Sequence, residues 1–253
     1  MRNPCLLLLL LASSMPVAAV PTDITVRVLA KDAKFIGSTF GGVRVTIADA
    51  DTGEVLAQGV TQGGYGDSER ILEQPRKRGV PLATEDAAAF HASIDIDRPR
   101  RIEVSAFGPL VYAPAANRVS STQWVVPGKH VSAGDGWLLE MPGLFVQMPP
   151  PEAPIHLAGG SAHIPLVAKV VMMCGCAMSP GGLWDSNRYE IAGSLTKGGK
   201  VVGETKLAYS GNASEFKGEV EVREAGSYEA MVYAWDPENG NTGVARASIV
   251  VTE

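Results

Sequence analysis

Cysteine is scarce in this chain: three residues in 253, at positions 5, 174 and 176. So few cannot form a disulfide-dense scaffold, so the cores must be hydrophobic. Histidine is scarce too, with four residues, and aromatics make up only 6% of the chain. No stretch of apolar residues is long enough for a transmembrane helix. There is no Gly-x-Ser-x-Gly elbow and no His-Glu-x-x-His helix, which leaves the common hydrolase and metalloprotease chemistries without support. A formal net charge of -5 argues against nucleic acid and anionic membranes as partners.

The first nineteen residues are not short of signals. Met1-Arg2-Asn3 is a short positive region, Leu6 to Ala12 is an apolar run, and Val17-Ala18-Ala19 is a small-residue cleavage motif. This is the pattern of a secretory signal, so residues 1–19 are expected to be removed and the mature chain to begin at Val20. Cys5 goes with them, and so does the charge of Arg2, which takes the net charge from -5 to -6. A periplasmic or secreted location follows.

Strand signals dominate the remainder. Ile24, Val26 and Val28 alternate with Thr25, Arg27 and Leu29, and Val43, Val45 and Ile47 alternate with Arg44, Thr46 and Ala48. Phe90 to Asp97 and Arg101 to Phe107 read as a strand pair, followed by strands at 123–126 and 137–141. The one helix expected is short, at Glu85 to Phe90. Residues 59–83 read as a long glycine-rich and basic excursion between strands, and long loops of this kind are often functional. Met148-Pro149-Pro150-Pro151-Glu152-Ala153-Pro154 reads as a stiff linker. The expected division is therefore a domain at 20–148, a Pro-rich linker at 149–154 and a domain at 155–253. In the second half, strands are expected at 163–172, 188–195, 201–209 and 244–251, with Asp236 to Asn241 as a turn.

Glu224-Ala225-Gly226-Ser227-Tyr228 resembles the tyrosine corner of immunoglobulin-like sandwiches. Ala230 stands where antibody domains carry a cysteine, so the resemblance implies the fold without its inter-sheet disulfide. In the first half, Gly42 to Glu54, with an Asp-Thr-Gly turn, and Thr84-Glu85-Asp86 running into Phe90, resemble the transthyretin-like, carboxypeptidase-regulatory type of sandwich. Domains of that type act mostly as binding or scaffold modules. The fold class expected is all-β, with two β-sandwich domains in tandem after the signal peptide.

The chemistry of the mature chain concentrates in Met172-Met173-Cys174-Gly175-Cys176-Ala177-Met178. Were the backbone extended here, residues 172, 174, 176 and 178 would share one side. Soft sulfur donors suit Cu(I), so the segment reads as a site holding that ion through Cys174 and Cys176, with Met172, Met173 and Met178 as further ligands and His163 as a candidate if the chain folds back. On this reading the protein is an exported, non-catalytic carrier that presents Cu(I) to an exported protein partner. Two other readings stand beside it. The cysteines would form a local, labile disulfide, or they would be packing residues continuing the buried face of a strand. Either would leave a structural or adaptor module that binds another exported protein through its sandwich surfaces. Of the carboxylates, Asp185, Glu190, Asp236 and Glu238 offer a possible acidic pair.

Overall fold

The computed structural model describes residues 18–149 and 153–253. Residues 1–17 of the expected signal and 150–152 of the expected linker lie outside the described residues. Among the described residues sixteen strands are arranged in four sheets, an all-β protein.

The first two sheets use β1 (Val20–Ala30), β2 (Arg44–Asp49), β3 (Val55–Val60), β4 (Phe90–Ile96), β5 (Arg100–Gly108), β6 (Asn117–Val125) and β7 (Trp137–Met141). One has the order β4-β1-β7 and the other β3-β2-β5-β6. The alternation read from sequence sets the inner faces: Val43, Val45, Ile47, Ile102, Val104 and Ala106 are fully buried, while Arg44, Arg101 and their alternates face out. The excursion after β3 is ordered. It contains α1 (Ser68–Leu72), capped by Asp67, which accepts a hydrogen bond from the Arg70 backbone N–H at 2.8 Å. Ile71 and Leu82 pack with Leu29, Phe35 and Ala87 in a small satellite core. The helix expected at 85–90 is absent. Ala87, Ala88 and Ala89 instead pair with Gln62 and Gly64 as bridges. Their small side chains let the backbone of Gly63 approach so closely that a Cβ there would come within 2.8 Å of Ala88 Cα.

The other two sheets use β8 (Leu144–Gln147), β9 (Ile155–His156), β10 (Ala162–Met172), β11 (Glu190–Lys197), β12 (Lys200–Lys206), β13 (Ala208–Tyr209), β14 (Glu215–Val222), β15 (Gly226–Trp235) and β16 (Thr242–Thr252). Their orders are β13-β14-β10-β8 and β12-β11-β15-β16-β9. β8 runs antiparallel to β10 and β9 runs parallel to β16. β8 and β9, the strands on either side of the Pro-rich segment, therefore lie in these two sheets, one in each. Pro165 sits in β10 where that strand pairs only with β14, because β8 covers only Lys169 to Met172. A residue without an N–H belongs at such an uncovered edge.

The tyrosine corner is present. Tyr228, third in β15 and nearly fully buried, donates its hydroxyl to the Glu224 carbonyl at 2.6 Å. Tyr228→Phe should lower stability by about 1 kcal/mol, the net value of one such bond. Urea unfolding reads this directly, and an unchanged midpoint would mean the bond contributes nothing.

Candidate functional site

β10 ends at Met172 and the chain then turns back on itself. Gly175 donates to the Met172 carbonyl at 2.7 Å and Met172 donates to the Cys176 carbonyl at 3.1 Å. The turn requires Gly175 at φ +84°, a conformation costly for side-chain-bearing residues. The extended backbone that would have lined up residues 172, 174, 176 and 178 is broken at this glycine. Beyond it, Met178 donates to Ser214 Oγ at 3.0 Å and accepts from the Ser214 N–H at 3.0 Å, which ties the loop to the start of β14.

The sulfurs are not a copper site. Cys174 and Cys176 are joined to each other as a disulfide. A soft metal needs thiolates, and neither sulfur offers one. Met172 and Met173 do not converge either. The Met172 sulfur lies 3.8 Å from the Tyr189 hydroxyl, whereas Met173 packs beside Gly143. Met172, Met173, Cys174 and Met178 are all sealed in the core, and only Cys176 is partly exposed. His163 is far away, roughly 30 Å back along β10, with its ring 3.6 Å from Glu219 on the surface. Among the described residues no group of three or more His, Cys, Asp or Glu is placed to hold a metal ion. The Cu(I) expectation, its six ligands and the carrier role built on them are corrected accordingly.

The 172–178 turn forms a joint instead. Above Gly175 lies Phe40, from the first sandwich, so close that a Cβ at 175 would come within 2.5 Å of the ring. Phe40 stands edge-on to Phe145 of β8 with ring centroids 4.9 Å apart, and Tyr112 meets Phe145 at 6.1 Å. The buried apolar side chains of both sandwiches form one continuous cluster through this point. Gly175→Ala should therefore cost about 1–3 kcal/mol, from backbone strain and displacement of the Phe40 ring. A thermal melt unchanged by that substitution would show the two sandwiches are not pressed together here.

A polar seam flanks the aromatic joint. Asn241, 1% exposed, donates to the Lys31 carbonyl at 3.2 Å and accepts from the Gly143 N–H at 3.0 Å. The Trp184 indole donates to the Asp32 carbonyl at 3.0 Å. Beside these bonds is a cleft of about 220 Å³ lined by Asp32, Asp185, Arg188, Tyr189, Asp236 and Glu238, among others. Three of the four carboxylates considered as an acidic pair thus meet, while Glu190 instead accepts from the Tyr233 hydroxyl. Each of the three is already engaged. Asp185 caps the N–H groups of Gly181 and Asn187, which hold its carboxyl below the usual range. Asp236 accepts from the Glu238 N–H at 2.9 Å, and Glu238 pairs with Arg188. Asp32 is raised, by desolvation first and by Asp236 second. Burial, then Asp236, raises the Tyr189 hydroxyl well above its ordinary value.

The outward face of the β3-β2-β5-β6 sheet was not singled out from sequence. Arg44, Phe107 and Arg118 lie directly opposite one another on β2, β5 and β6. The two guanidinium carbons sit 5.9 Å and 5.3 Å from the Phe107 ring centre. Both arginines are exposed, and neither has a salt-bridge partner among the described residues. Further along the same face Trp124 is 65% exposed, opposite Arg101. The signal was present in the alternation of β5 and β6, whose outward positions are Arg101, Glu103, Ser105 and Phe107 on β5 and Arg118, Ser120, Thr122 and Trp124 on β6.

No protein-family model matches the sequence, and no curated protein is significantly similar to it. Solved structures give distant likenesses. Fibronectin(III)-like modules of Clostridium thermocellum CbhA align at 11% identity over 83% of this chain and 77% of theirs, with a TM-score of 0.29. A chimeric titin Z1Z2 carrying an exogenous KLER peptide from decorin aligns at 12% identity over 94% and 100%, with a TM-score of 0.24. An engineered protein aligns at 14% identity over 51% of this chain, with a TM-score of 0.29, and this chain spans 24% of its length. The four sheets are defined by this chain's own strand pairing. No helix among the described residues is long and apolar enough to cross a membrane.

Proposed function

We propose that this chain is an exported, non-catalytic adaptor: two sandwiches, divided at Pro142-Gly143, that bind another exported protein through the outward face of the β3-β2-β5-β6 sheet. The observation that carries the reading is the row Arg44-Phe107-Arg118. Two exposed guanidiniums without a salt-bridge partner among the described residues flank one aromatic ring on the outward face of a chain whose net charge is negative. Arginine and tryptophan are the residues that most often dominate binding energy at protein interfaces. The partner suited to this face presents acidic side chains to Arg44 and Arg118 and an apolar one to Trp124. Export rests on the composition of residues 1–19, and the packed joint gives the adaptor a fixed shape.

Chemical cross-linking of the mature protein in an extract of its own compartment tests the reading. Cross-links to a partner should concentrate on residues of β2, β3, β5 and β6 and weaken with added salt. Partner cross-links confined to the other sandwich, or to the Asp32–Asp236 cleft, would contradict it.

A further inference from the structure

An uncovered strand edge presents a row of unpaired N–H and C=O groups, and proteins guard such edges with charge, proline, bulges or brevity. Most edges in this molecule are guarded. β8, β9 and β13 have four residues or fewer. β12 carries Lys200, Glu204 and Lys206, and its pairing with β11 shifts between Leu195 and Thr196. The pairing of β3 with β2 shifts between Ile47 and Ala48. β4 carries His91 and Asp95, and β7 is five residues long with Glu140.

β6 has only one of these guards, a single charge. It is nine residues long and pairs with β5 in one unbroken register from Gly108↔Asn117 to Arg100↔Val125. It contains no proline, lysine, aspartate or glutamate, and Arg118 is its one charge. Among the described residues, its backbone makes no hydrogen bonds to any other strand. On its inward side the Trp137 indole of β7 donates to Ser121 Oγ at 2.7 Å, yet Ser121 and Gln123 stay exposed, as do Ser120, Thr122 and Trp124 on the outward side.

We propose that β6 pairs antiparallel with β6 of a second copy of this chain, about a two-fold axis at Ser121, which joins the two four-stranded sheets into one of eight. The residues of the strand specify that register. Centring on Ser121 overlaps all nine residues and sets Arg118 opposite Trp124 of the second copy, on the outward face. A guanidinium over an indole is a favourable pair. The same register sets Ser120 opposite Thr122, a hydrogen-bonding cross-strand pair, and Val119 opposite Gln123. No two charges meet. Moving the axis to Ser120 or Thr122 breaks the Arg118–Trp124 pairing and shortens the overlap. The two-fold is isologous, so the assembly closes as a dimer. It also places both Arg44-Phe107-Arg118 rows on one continuous face. The proposal goes beyond the adaptor reading: it starts from the edge, and its register draws on Arg118 and Trp124 of the face that reading gives to the partner.

Sedimentation equilibrium on the mature chain tests it without any partner present. At chain concentrations up to about 0.1 mM the expected species is a dimer. The double variant Ser120→Lys/Thr122→Lys sets like charges opposite each other across the axis and should weaken the dimer at least tenfold. Both positions are exposed, and circular dichroism should show the fold intact. Ser120→Glu/Thr122→Lys instead sets a carboxylate opposite an ammonium in the second copy and should restore the dimer. A wild-type chain that is monomeric throughout this range would overturn the proposal, as would a dimer indifferent to the double lysine variant. Failure of the Glu/Lys variant to recover association would overturn the register centred on Ser121. A monomer would leave the cross-linking result on the outward face unaffected, so the two readings fail separately.

Discussion

Phe145→Ala should lower the unfolding free energy by about 3–5 kcal/mol, the usual cost of removing a buried phenylalanine ring. Phe145 is 2% exposed and belongs to β8, the first strand of the second sandwich. Its ring is where Phe40 and Tyr112 of the first sandwich make contact. The cavity would open between the two sandwiches, where neither can collapse alone to refill it. Wild-type unfolding in urea should be a single transition, because one apolar cluster runs through both halves. The variant should then either keep that single transition at lower urea or split into two. A loss below about 1 kcal/mol, within the range of ordinary surface substitutions and small repacking, would show that the joint is not packed as described.

Asn241→Ala should be nearly as damaging, at about 2–4 kcal/mol. The side chain satisfies two groups at once, the Lys31 carbonyl and the Gly143 N–H. Removing it leaves both with no partner at a site that is 1% exposed, and each buried unsatisfied group costs roughly 1–3 kcal/mol. The same equilibrium unfolding experiment measures it. A change within about 0.5 kcal/mol would mean that water replaces the amide and that the seam is wet.

The strands were legible because their burial alternates. Val43, Val45 and Ile47, or Ile164, Leu166 and Ala168, declare an inner face residue by residue. The tyrosine corner was legible because it is a local motif whose bond spans four residues. Non-local pairing was less so. Leu144, Phe145 and Val146 are all buried, so β8 shows no alternation, and its partner β10 lies beyond the prolines. Those prolines stiffen the chain, which suits a linker and equally suits a crossover between two sheets of one sandwich. Ala87-Ala88-Ala89 reads as helix by propensity, but close packing against Gly63 and Gly64 decides otherwise.

The sulfur segment misled for a related reason. Side-chain chemistry gives the donor set but not its directions. Those depend on Gly175, whose positive φ turns the chain so that Met172 and Met173 approach different neighbours. A local disulfide and core packing were both open alternatives, and both occur in the same turn. The outward face escaped notice because its arginines are far apart in sequence, at 44 and 118, and meet only through β5.

The most direct measurement compares recovery of partner proteins from the native compartment by three forms of the mature chain: wild type, Arg44→Glu/Arg118→Glu and Cys174→Ala/Cys176→Ala. The account predicts that the arginine variant keeps its thermal stability and loses the partners recovered by wild type. It predicts that the cysteine variant, though less stable, retains them. Partners retained by the arginine variant and lost by a folded cysteine variant would contradict it and return the function to the Cys-Gly-Cys turn.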